Sequence, residues 1–143
     1  MTLGKSPVQW RRVGLVLTVA CMAWMYGAAL LAQSEQVVDV TIKDFRFVTK
    51  QSPLRLGLPT VITVRNEDAE RHDFSSTMFE GIPTQIEKDG VIVYGRGLGG
   101  MYLDPKQSAT IRFDMTRPGR HVFRCAIHPT MSGELLLLSA EAV

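Results

Sequence analysis

The sequence predicts an all-β fold, a β-sandwich preceded by one N-terminal hydrophobic helix. Three observations carry that expectation. From residue 37 onward, β-branched and aromatic residues recur in short, partly alternating runs. Turn residues interrupt these runs at spacings of roughly 8–12 residues, the rhythm of an antiparallel sandwich. No stretch of this part holds a 3.6-residue apolar period.

The helix comes first in the chain. Val13 to Ala32 reads VGLVLTVACMAWMYGAALLA, twenty residues without a charge. As a helix the run would reach about 30 Å, the thickness of a bilayer's hydrocarbon core. Lys5, Arg11 and Arg12 precede it, which places the N-terminus in the cytoplasm and the rest outside. The length argues for a signal anchor in the cytoplasmic membrane; Ala32-Gln33-Ser34 offers a cleavage site for a signal peptide. Both readings put residues 35–143 in the periplasm, with residues 1–34 as the targeting segment.

The strands follow in order. Val37 to Lys43 alternates in part, and Phe45-Arg46-Phe47 continues the pattern. Pro53 to Leu58 is a short candidate, and Pro59 to Arg65 is rich in β-branched residues. Asn66-Glu67-Asp68 turns the chain towards His72-Asp73-Phe74. Ser108 to Asp114 alternates cleanly, Arg117-Pro118-Gly119 is a turn, His121 to Cys125 is a strand, and Gly133 to Ser139 is the apolar last strand. Between them lies a long middle insertion, residues 75–106. Ile86 to Val93 reads there as a hairpin about Asp89-Gly90. The rest of the insertion shows little structure of its own and is expected to cover or flank the functional end. Gly95 to Gly100 matches G-x-G-x-x-G, but Met101-Tyr102-Leu103-Asp104-Pro105 opens no helix behind it. A flexible turn is expected there rather than a phosphate cradle.

Charge excludes several functions. Once the three basic residues ahead of the apolar run are set aside, Lys and Arg nearly balance Asp and Glu. Such a domain has no broad attraction for nucleic acid or acidic substrates. The chain has two cysteines, Cys21 and Cys125, and the first lies in the apolar run, so no disulfide framework is expected in the domain. A lone thiol in an oxidising compartment needs a partner, and a metal would serve.

Cys125-Ala126-Ile127-His128-Pro129-Thr130-Met131 supplies that chemistry. Thiolate and thioether are soft donors and imidazole is borderline, a set that suits copper in both oxidation states. A trigonal copper site takes two histidines, one cysteine and a distant axial methionine. The second histidine must be His72 or His121, since the chain holds only these beside His128. Zinc is disfavoured because thioether is not among its usual ligands. A dinuclear copper centre would need another cysteine between Ala126 and Gly133, and there is none. Four protein donors would leave no vacancy for substrate, which argues against an enzyme and for outer-sphere electron transfer.

The run Gly119-x-x-x-Phe123-x-Cys125-x-x-His128-Pro129-x-Met131-x-Gly133, with His72 upstream, resembles the cupredoxins, the type 1 blue copper proteins. The Cys-x-x-His-x-x-Met spacing and Pro129 are most similar to the amicyanin group; plastocyanin-like members have a longer gap before the methionine. The resemblance implies a Greek-key β-sandwich. It implies His72, Cys125 and His128 as equatorial ligands of one copper ion and Met131 as the axial one. It also implies His128 near the surface as the electron's exit, and His121 as a packing residue, because relatives carry a core aromatic there. Relatives often have Asn after the upstream histidine; this chain has Asp73, which, ionised, would accept a loop N–H but not donate. The expected function is that of a periplasmic single-electron carrier, a monomer serving redox partner proteins. The alternative is a periplasmic copper chaperone or tolerance protein that holds copper with the same ligands.

Overall fold

The structure, a computed structural model, describes residues 34–138. The apolar run 13–32, and with it the choice between anchor and signal peptide, lies outside the described residues. Eleven strands and one 3₁₀ turn make up what is described. They are β1 (Gln36–Lys43), β2 (Arg46–Gln51), β3 (Leu54–Arg55), β4 (Pro59–Asn66), β5 (His72–Ser76), β6 (Pro83–Lys88), β7 (Val91–Arg96), β8 (Gly100–Leu103), β9 (Ser108–Asp114), β10 (Gly119–Arg124) and β11 (Ser132–Leu138). Thr77–Phe79 forms the 3₁₀ turn after β5.

Two sheets face each other, one in the order β2-β1-β4-β9-β6-β7 and the other β3-β11-β10-β5-β8. Their pairing is mixed rather than antiparallel throughout. β1 runs parallel to β4, with Val38 opposite Ile62, and β11 runs parallel to β3. Both parallel pairs follow from one crossover: after the β1–β2 hairpin the chain visits the second sheet as β3 and returns to the first as β4. Alternation decides the facing sides. Val38, Val40 and Ile42 of β1, Ile62 and Val64 of β4, and Ala109, Ile111 and Phe113 of β9 are buried against Phe74, Leu103, Phe123, Leu135 and Leu137 of the second sheet. Each of these side chains larger than alanine contributes about 1.5–3 kcal/mol when removed from water. Aromatic rings link the layers, Phe47 to Phe123 at 5.1 Å and Phe79 to Phe113 at 5.1 Å, while Phe123 meets Phe74 within the second sheet at 4.9 Å.

The middle insertion is more ordered than its composition suggests. Its hairpin is longer than the sequence indicated, spanning β6 and β7 about Asp89 and Gly90, whose φ angles are 51° and 76°. β6 pairs with β9 and so extends the first sheet, leaving β7 as its outer edge. β8 joins the second sheet beside β5, with Leu103 opposite His72 and Tyr102 opposite Asp73. The insertion therefore reaches the functional end through β8, as a paired strand.

The glycine run is likewise not a flexible turn as a whole. Gly95 lies within β7 opposite Thr84, Gly97 has a positive φ of 75°, and Gly100 lies in β8 opposite Ser75. A Cβ on Gly100 would strike the Phe74 carbonyl oxygen and the Ser75 backbone. Gly100→Ala is expected to destabilise the fold by about 1–3 kcal/mol, the usual cost of overpacking. The urea midpoint of the metal-free protein measures it.

Candidate metal centre

Three elements converge at one end of the sandwich. β5 begins with His72, β10 delivers the chain to Cys125, and the loop from β10 to β11 carries His128. This loop closes on itself: the Met131 amide donates to the His128 carbonyl at 2.9 Å, and the Cys125 amide donates to the Met131 carbonyl at 3.2 Å. β5 and β10 pair over only two residues, Phe123 with Ser76 and Arg124 with Ser75. Side chains extend that seam, with the Ser75 hydroxyl donating to Arg124 O at 3.2 Å and Ser76 to Val122 O at 2.8 Å. His72, at the start of β5, and Cys125, just past the end of β10, are thus held side by side.

The ligand atoms of His72, Cys125 and His128 all lie within 4.8 Å of one another. His128 Nδ1 is 3.6 Å from Cys125 Sγ and His72 Nδ1 is 3.9 Å from it. The two imidazoles present the same nitrogen to one sulfur, with ring centroids 4.8 Å apart. His72 and Cys125 are buried; His128 is half-buried. Met131 is also buried, in the core cluster at the end of the same loop. His121 stays outside: its Nε2 lies 2.8 Å from the Arg117 carbonyl oxygen on the surface. It is half-buried on the strand face of Phe123 and is not among the clustered ligands.

Asp73 occupies the place beside the cluster in a way its chemistry allows. Its Oδ2 accepts from the Ala126 amide at 3.0 Å, and its own backbone N–H donates to Cys125 Sγ at 3.3 Å. The carboxylate braces the loop after the cysteine, while the donation to sulfur comes from the backbone. No second N–H from the side chain is needed.

Two residues at the site escaped sequence reasoning. Asp68 Oδ2 lies 3.0 Å from His72 Nε2, the nitrogen facing away from the sulfur. The same carboxylate accepts the Asp44 amide at 2.7 Å and the Phe45 amide at 3.1 Å. Such an outer carboxylate fixes the tautomer and orientation of a ligating imidazole. Its loop is set by buried Asn66, whose Nδ2 donates to the carbonyls of Glu70, Leu103 and Asp104. An Asp four residues before the histidine was the available signal, but in a turn-like Asn-Glu-Asp run it reads as solvated. The sequence pattern places Phe45, the second, in a strand; it lies in the β1–β2 turn instead, with its ring against both imidazoles.

Partial burial alone would push the Asp68 carboxyl up, but the amides of Phe45 and Asp44, together with His72, outweigh it and hold it below the ordinary Asp value. A carboxyl depressed in the folded state adds stability above its unfolded pKa, and that stability is lost as pH falls through the folded value. The metal-free protein is therefore expected to melt at lower temperature on acidification through the carboxylate range. Asp68→Asn should remove part of that slope, as circular-dichroism melts across pH would record.

A scan against protein-family models found no match, and a search of curated proteins found none either. Among solved structures, a multicopper oxidase superposes with a TM-score of 0.50 at 11% identity, over 75% of this chain and 45% of that one. The fold is cupredoxin-like. The chain thus spans less than half the length of that oxidase, and the likeness shows architecture alone. A reduced Cu(I) form of amicyanin is similar at 23% identity over 78% of this chain and 89% of that one, TM-score 0.45. A multicopper oxidase from Aquifex aeolicus is similar at 15% identity over 69% of this chain and 27% of its own, TM-score 0.46.

On this cupredoxin-like frame the donor set fits one copper ion. A buried cysteine sulfur and two imidazoles turned on the same point suit a borderline-to-soft metal, with Asp68 against the far nitrogen of His72 and Asp73 bonded to the amide after the cysteine.

Proposed function

We propose that this protein carries single electrons by way of one type 1 copper ion. His72, Cys125 and His128 would hold the ion, with Met131 as a further, weaker donor. The observation that supports this most is the meeting of two imidazole Nδ1 atoms on one buried sulfur, one from the start of β5 and the other from the loop that follows its paired strand β10. Bound copper would supply a one-electron couple at nearly constant coordination. The chain's contribution is rigidity. Asp68 holds His72, Asp73 holds the loop after Cys125, and the loop's own hydrogen bonds hold His128 and Met131 in register. Four donors on one ion leave no position for a substrate, which favours a carrier over an oxidase. Half-buried His128 is the natural route to redox partner proteins. The apolar run 13–32 would export the domain to the periplasm and, if kept, tether it to the cytoplasmic membrane.

The test is copper titration of the purified chain, followed by its visible and electron-spin-resonance spectra and its electron self-exchange rate. One equivalent giving an intense blue species, with fast self-exchange and slow copper exchange, supports the carrier. Rapid copper exchange with slow electron exchange would instead assign a copper-delivering role, and failure to bind copper would overturn both.

A further inference from the structure

The β1–β2 turn is made by two residues, Asp44 and Phe45, whose φ angles are 51° and 56°. This is the left-handed region at both central positions, where a hairpin turn ordinarily takes Asn or Asp followed by Gly. Asp44 suits it. Phe45 does not, since a bulky side chain with positive φ is a true outlier. Strain of this kind persists only where the surroundings over-determine it, and it gathers at functional sites.

Two contacts over-determine it here. The Asp68 carboxylate accepts both turn amides and also meets His72 Nε2. The Phe45 ring stands edge-on to both imidazoles, 5.0 Å from His128 at 89° and 5.4 Å from His72 at 78°. A surface turn gains nothing from burying this ring, which stays 49% exposed. Its gain lies in what it touches. His128 comes from a loop and is half-buried, whereas His72 is fixed by a strand and by Asp68.

We propose that Phe45 is a positioning residue for the metal centre: its ring clamps His128 against His72, and the strained turn is kept because it delivers that ring. The inference rests on the copper reading. The clamp holds both nitrogens on the sulfur, so it slows the loss of bound copper.

The experiment uses the full chain in detergent, with Phe45→Gly and Phe45→Leu. Glycine takes the left-handed turn without strain, so the metal-free Phe45→Gly protein is expected to melt no lower than the parent. Its Cu(I) is nevertheless expected to pass to bicinchoninate about tenfold faster, the lower end of what losing an orienting outer contact does to metal affinity. Phe45→Leu should fall between. In the metal-free protein, NMR contacts between the His72 and His128 rings should weaken in Phe45→Gly. A lower melting temperature with unchanged copper transfer would show ordinary packing and overturn the proposal. If the parent binds no copper, the copper reading fails, and the clamp is then judged by the ring contacts alone: unchanged contacts in Phe45→Gly refute it.

Discussion

The Cys125→Ser variant is expected to stay folded while losing the intense visible band entirely. Cys125 is buried and its sulfur accepts the Asp73 amide at 3.3 Å. A serine hydroxyl can accept the same N–H, so the metal-free fold should change by only about 1 kcal/mol, the scale of one neutral hydrogen bond. The coordination chemistry changes far more. A thiolate is a soft anionic donor; a hydroxyl is hard and stays protonated at neutral pH. Copper held by the remaining imidazoles would lack the sulfur-to-metal charge transfer that colours a blue site. Absorption spectra beside a thermal melt of the same sample separate the two effects. Retained colour would remove the sulfur from the centre, and with it the proposed function.

Phe123→Ala is expected to have the largest effect on stability. Phe123 is fully buried on β10, two residues before the cysteine, between Phe47 and Phe74. Opposite it in the register stands Gly133, where a Cβ would strike the Phe123 ring. The ring lies over that glycine, so truncation empties both places together. Removing a buried Phe typically costs about 3–5 kcal/mol, against a total stability for domains of about 5–15 kcal/mol. Urea unfolding of the metal-free protein should show the midpoint fall steeply. A loss below about 1 kcal/mol, the scale of a conservative core swap, would mean the ring is not central to the sandwich.

Reading the chain worked best where the needed chemistry is local. The β-branched run Pro59 to Arg65 fits a pleated strand, and the alternation in Ser108 to Asp114 follows from the pleat, which sends successive side chains to opposite faces. Those strands appear where expected, as β4 and β9. The Asp89-Gly90 turn was equally plain, because few residue pairs accept two positive φ angles. The spacing of Cys125 and His128 pointed to a common site because one tight loop must aim them together, and their donor atoms lie 3.6 Å apart.

Harder to read were features that depend on partners far away in the chain. Parallel pairing of β1 with β4 depends on where the crossover through β3 returns, and no residue of β1 encodes it. The insertion's place in both sheets depends on which edges were free to accept β6 and β8. Asp68 reads as a solvated turn residue until His72 is set against it, and Phe45 reads as strand until the turn is seen to strain for its ring. Donor identity and strand periodicity are properties of neighbouring atoms along the backbone, so they survive in one dimension. The contacts that brace a ligand, edge pairing and tolerated strain are sums over atoms that only folding brings within reach, and they exist nowhere until the sandwich closes.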